Sequence, residues 1–187
     1  NRMTSALEAR LQNAYAAESK LLSLHMDLVY ACDLDCCHCY LDDKRTETLT
    51  TSKILKTLEE ARALGALKLT LSGGELFLRK DLIPILEHAR NLGFYLKLKT
   101  HGGLLTEELA DAMKRFEVNR IDISVYSVRE DIHDFITRRR GSLQRTMEGI
   151  ERLIDREIPV RVNCSVMNIN LNDYKELHTY FHRLGIN

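Results

Sequence analysis

No excess charge of either sign marks this sequence, in which lysine plus arginine and aspartate plus glutamate each number 27. A chain so balanced has no global field to draw nucleic acid or an anionic membrane to it. Long apolar runs are missing as well, and none approaches the roughly 18 residues that a membrane span needs. The opening NRMTSALEARLQ has charges at Arg2, Glu8 and Arg10 and no apolar core, so it is not expected to be a signal peptide. There is no linker or low-complexity stretch, and 187 residues suffice to bury one substantial core. Cysteine is scarce, five in all, yet four stand within the eight residues CDLDCCHC, Cys32 to Cys39. An odd count packed this tightly makes a poor disulfide framework. It predicts a reducing compartment, with the cytoplasm as the expected location.

Two hydrophobic periods alternate along the chain. A helix is expected over 5–20, where Ser5 and Glu8 have capping-box spacing and Leu7, Leu11 and Tyr15 share a face. Strands are expected over 24–30, 66–71, 94–100, 119–125 and 158–166. Helices are expected over 51–65, 81–93, 106–116, 142–157 and 172–185. In 51–65 the apolar face is Ile54, Leu58, Ala61 and Leu64; in 142–157 it is Leu143, Met147, Ile150 and Ile154.

Strands alternating with helices predict parallel β-α units joined by right-handed crossovers. Five units and the start of a sixth suit either an open doubly wound sheet or part of a barrel. The first residue is not Met, so a trimmed fragment is expected, and the chain stops at IN just after Gly185 closes a helix, so a C-terminal portion is expected to be absent. Ligands of parallel α/β folds bind at the carboxyl ends of the strands. The cysteine loop follows the first strand, SGGE (72–75) the second and THGG (100–103 with its threonine) the third. Three unusual segments thus converge on one mouth.

Cys32, Cys36 and Cys39 have C-x3-C-x2-C spacing. Three thiolates on a cubane iron–sulfur cluster leave one iron open, which makes such a site reactive. A zinc site would need further ligands, for which Cys164 and scattered histidines are candidates; fortuitous thiols are the third alternative. Cys37 and His38 sit between ligand positions. SGGE reads either as a turn or as paired glycines admitting a ligand, with Glu75 accepting from an ammonium group. RRRG (138–141) and DDKR (42–45) read as solvated surface, and His88, His178 and His182 receive no role.

The loop CDLDCCHCY, followed by SGGELFLR, resembles the radical S-adenosylmethionine superfamily, and the likeness continues through LKTHGGLLTEELADAM and the two units after it. Within that family the chain is similar to the peptide- and protein-modifying, SPASM-type maturase branch, as a core domain without the C-terminal extension. The resemblance implies an α/β fold, a partial (β/α)6 TIM-like barrel preceded by an N-terminal helix, with residues 1–23 as the helical segment and 24–187 as the core domain. It implies that Cys32, Cys36 and Cys39 hold a [4Fe–4S] cluster and that S-adenosylmethionine chelates the open iron. Gly73, Gly74 and Glu75 would receive its ammonium group, His38 would lie near the adenine, and Ser124 and Asn163 would make polar contacts. An electron donor such as flavodoxin or ferredoxin would drive cleavage to a 5′-deoxyadenosyl radical, which takes hydrogen from a peptide or protein side chain. Neither nucleic acid nor membrane is expected as a partner. Two departures stand out: His101 where Asn is usual, and Val125-Tyr126-Ser127 where Leu-Asp-Gly is common. The alternative is a zinc-stabilised α/β binding module without redox chemistry.

Overall fold

The computed structural model describes residues 2–41, 44 and 49–186, with the side chains of 2–5 excepted. Asp42, Asp43 and Arg45 of the DDKR run lie outside the described residues. Period-two patterning builds the sheet. In β2 (Lys68–Ser72), β3 (Tyr95–Thr100) and β4 (Arg120–Ser124), one parity is fully buried: Leu69 and Leu71, Leu96 and Leu98, Ile121 and Ile123. Burying each such side chain contributes about 1.5–3 kcal/mol, so a one-residue slip would forfeit the whole face. With β1 (Ser23–Asp27) and β5 (Val160–Asn163) these strands form one parallel sheet, ordered β1-β2-β3-β4-β5.

A doubly wound sheet reverses its strand order at a switch point. The sequential order here has none, and the sheet is an arc of a TIM-like barrel. Five strands stand among the described residues, against the six that the resemblance implies. Helices α2 (Thr51–Ala63), α3 (Leu82–Asn91), α4 (Glu107–Arg115), α6 (Ser142–Ile154) and α7 (Tyr174–Arg183) alternate with the strands. Thr50 and Thr106 cap α2 and α4 by accepting from the backbone N–H three residues on. No helix among the described residues is long and apolar enough to cross a membrane.

Four details differ from the sequence reading. α1 runs from Arg2 to Ala17, so Ser5 lies inside the helix rather than at its cap. Leu64 is the exposed C-cap of α2, beyond the last buried turn. A further helix, α5 (Glu130–Thr137), occupies the β4–β5 connection; its eight residues are too few to display a period. α6 is turned by about one position, burying Leu143, Thr146, Gly149, Ile150 and Leu153 while Ile154 is exposed. The cause is a close approach at Gly149, where an added Cβ would stand 2.3 Å from the Gly102 carbonyl oxygen.

Candidate functional site

The cysteine loop leaves β1 and is fastened at both ends by one side chain. Arg79, which follows the short 3-10 turn Leu76–Leu78, donates to the carbonyls of Leu28 (2.7 Å) and Leu49 (2.9 Å) and pairs with Asp81. The chain beyond β1 then runs beside SGGE: Leu28 N–H donates to Ser72 O, Gly74 N–H to Val29 O (2.7 Å) and Glu75 N–H to Ala31 O (2.9 Å). Here the paired glycines have a physical necessity. A Cβ on Gly73 (φ 145°) would lie 2.1 Å from Val29 O, and one on Gly74 2.3 Å from Ala31 O. On its other side the loop docks on α5, where Asp35 and Cys37 N–H groups donate to Thr137 O (3.1 Å) and Ile136 O (2.9 Å). These carbonyls are among those a helix end leaves unpaired.

Glu75 is fully buried, and its carboxylate is saturated. It accepts from the Thr100 hydroxyl (2.7 and 2.8 Å), Phe77 N–H (3.0 Å) and His101 N–H (3.0 Å), and His101 Nε2 lies 3.1 Å away. The same Nε2 is 2.8 Å from Asp33 Oδ1 in the cysteine loop. Burial opposes charge on this imidazole, but hydrogen bonding to Asp33 and Cys32 and the attraction of Glu75 outweigh it, raising the pKa to about 10. One contact acts the other way: Gly103 N–H donates to Nδ1 at 3.0 Å, which favours a ring protonated at Nε2 alone. In either form Nε2–H faces the two carboxylates.

All five cysteines are free; Cys32, Cys36 and Cys39 are half-buried and Cys37 is exposed. Burial pushes the Cys36 thiol up to about 11, and the charges of Cys32 and Cys39 add to the shift. Thiolates so placed need a cation to be held together. Among the described residues, only Cys32, Asp33 and His101 bring three ligand atoms within 4.8 Å of one another. One tetrahedral zinc at about 2.3 Å from each sulfur would draw three thiolates to roughly 3.8 Å apart. Cys32, Cys36 and Cys39 do not form a group that tight, and a cubane does not require one, since each of its thiolates binds a different iron. The donor set fits the cluster.

The remaining expected residues ring the same mouth. Ser124 and Asn163 are register partners at the ends of β4 and β5, both half-buried. The His38 ring meets Tyr126 edge-on at 4.7 Å; burial lowers its pKa, and its buried Nδ1 has no partner among the described residues. Cys164, just past β5, packs against the core with Asn170 Nδ2 3.6 Å from its sulfur, as a small structural residue would. In the RRRG run, Arg138 is exposed and reaches Asp35 of the cysteine loop at 3.1 Å.

Sequence reasoning missed Asp33, Thr100 and Tyr126. Tyr126 is buried; burial and the Cys36 charge push its phenol pKa upward. The signal for it was the Val-Tyr-Ser departure itself.

A family model described as the Radical SAM superfamily matches residues 26–181. The AdoMet-dependent heme synthase of Methanosarcina barkeri is 29% identical over 162 residues, covering 85% of this chain and 46% of that protein. A probable GTP 3′,8-cyclase of Methanocaldococcus jannaschii is 28% identical over 170 residues, 89% of this chain and 57% of that one. The PqqA peptide cyclase of Bradyrhizobium diazoefficiens is 28% identical over 159 residues, 83% and 42% of the respective lengths. The chain thus spans about half the length of these curated relatives. The crystal structure of Streptococcus suis SuiB bound to precursor peptide SuiA superposes with a TM-score of 0.73, covering 94% of this chain and 42% of SuiB at 17% identity. At that identity the likeness shows the fold.

Proposed function

The chain belongs to the radical SAM superfamily, whose members use a [4Fe–4S] cluster and S-adenosylmethionine, and on that premise we propose that it serves in modifying a peptide or protein side chain. The observation behind this reading is a loop with three free thiols that follows β1 and is joined, through Cys32, Asp33 and His101, to the buried Glu75 carboxylate that follows β2. When bound, the two cofactors supply one-electron cleavage of a sulfonium and removal of hydrogen from the substrate.

In this reading Cys32, Cys36 and Cys39 ligate the cluster. Arg79 and the carbonyl end of α5 hold their loop in place. Gly73, Gly74 and Glu75 border the ammonium group, with Thr100 and His101 fixing the carboxylate. His38, whose pKa burial lowers and whose Nδ1 has no partner among the described residues, faces the adenine, and Ser124 and Asn163 offer polar contacts. Flavodoxin or ferredoxin is the proposed electron donor. The peptide class is favoured by the likeness to PqqA peptide cyclase and by the fold of the SuiB–SuiA complex.

Anaerobic reconstitution with iron and sulfide, then dithionite and S-adenosylmethionine, tests the cofactor assignment. The expected products are methionine and 5′-deoxyadenosine, abolished by Cys36→Ala. A fully loaded, reduced protein that leaves S-adenosylmethionine intact would overturn it. The zinc-module reading has one observation in its favour, the Cys32–Asp33–His101 trio, and it requires a colourless protein with stoichiometric zinc.

A further inference from the structure

Side chains on the inner face of the arc are ordered by strand register. Lys99 pairs with Asp122 and Asp122 with Arg161; two residues earlier, Lys97 pairs with Arg120. Their sequence neighbours Leu96, Leu98, Ile121 and Ile123 are fully buried, and Val160 and Val162 pack on the same core. Alternation therefore puts these polar residues on the opposite face, inside the ring of helices. Adjacent strands stand about 4.8 Å apart, so Lys99, Asp122 and Arg161 form one continuous row. That row lies two residues before Ser124 and Asn163, at the floor of the mouth described above.

Charge in this row does not balance. Asp122 is engaged by Arg120 through a two-pronged contact at 2.6 and 3.2 Å. Lys68, lower on the same face, has Glu8 of α1. Among the described residues, Lys97, Lys99 and Arg161 have no carboxylate within ion-pair distance; burial and the like charges of Arg120 and Lys68 act on Lys97, against the more distant pull of Asp122 and Glu8. Cations gathered in a concavity raise the local concentration of a counter-ion. Among the described residues, the carboxylates nearest this row are Asp122 and Glu8, and both are already engaged, by Arg120 and Lys68.

We propose that Lys99 and Arg161, with Lys97 beneath them, bind an anionic group of the substrate and hold it at the floor of the cofactor mouth. The proposal rests on the cofactor assignment above for its orientation. Arg161 suits two-pronged contact with a planar carboxylate or with phosphate, and Lys99 adds a point charge. A carboxylate on an acidic peptide and a phosphate on a nucleotide share this chemistry.

The test is binding to the anaerobically reconstituted chain with three probes: a labelled Gly-Glu-Gly-Glu-Gly peptide, its Gly-Gln-Gly-Gln-Gly counterpart, and GTP. One of the two anionic probes is expected to bind saturably, about tenfold or more tighter than the neutral peptide, with affinity falling as salt rises. Which one binds identifies the source of the anion. A Lys99→Gln/Arg161→Gln double variant, altering exposed side chains only, should lose about tenfold in that affinity. A Lys53→Gln/Lys56→Gln control, which removes equal charge from the outer helix α2, should lose none. Equal binding of the neutral peptide, an unaffected double variant, or no saturable binding of either anion would overturn the proposal. S-adenosylmethionine cleavage assayed in parallel separates the two failures: cleavage without anion binding removes only this inference, and no cleavage removes the cofactor assignment.

Discussion

His133, on α5, is 1% exposed; its Nδ1 lies 3.0 Å from Ser142 Oγ, and its Nε2 has no partner among the described residues. Burial pushes the imidazole pKa down to about 4, overcoming the pull of Asp134, whose carboxylate is 3.7 Å away; nearby His101 adds to the lowering. The folded ring is neutral, whereas the unfolded ring takes a proton below about pH 6.5. The stability from this residue is therefore complete above pH 6.5 and drains as pH falls toward 4, by at most about 3 kcal/mol. Urea midpoints measured across that window should fall with acid. A His133→Asn variant, less stable at neutral pH, should show a flatter slope there; an unchanged slope would contradict the assignment. Individual residues were unevenly legible. The three cysteines and Ser72–Glu75 announce themselves by chemistry and spacing. His101 shows only as a departure, because its partners Asp33 and Glu75 follow two other strands and meet it only when the sheet forms.

At the scale of elements, α6 and the loop after β3 are a coupled pair. Thr146 donates to the His101 carbonyl at 2.9 Å, and Gly149 presses on Gly102. Ala is a better helix former than Gly by about 1 kcal/mol, so helix propensity alone would make Gly149→Ala stabilising. The clash at 2.3 Å is with backbone, which cannot rotate away as a side chain could. Overpacking costs about 1–3 kcal/mol and should win. A lower urea midpoint and weaker S-adenosylmethionine binding are expected, since the THGG turn must move; a rise in stability would contradict the packing account. Most strands and helices were legible because each has a single buried face. α5 was not, being short and having Phe135 exposed, and the rotated face of α6 was not, because its contact is made by small residues that hydrophobic patterning ignores.

Across the whole molecule, an unusual pattern reveals the working surface. Parallel strands buried on both faces read as continuous apolar runs. Here leucine and isoleucine alternate with Lys97, Lys99, Arg120 and Asp122, so the inner face is polar and the helix-covered face is not. The choice between open sheet and barrel was invisible to periodicity; it depends on strand order, which only the folded chain displays. The central claim is that three thiolates leave one iron of a cubane open to S-adenosylmethionine. Electron paramagnetic resonance of the dithionite-reduced, anaerobically reconstituted chain tests this directly. The account predicts a [4Fe–4S] signal that shifts when S-adenosylmethionine is added and disappears in Cys36→Ala. A signal indifferent to S-adenosylmethionine, or a colourless protein holding only zinc, would contradict it.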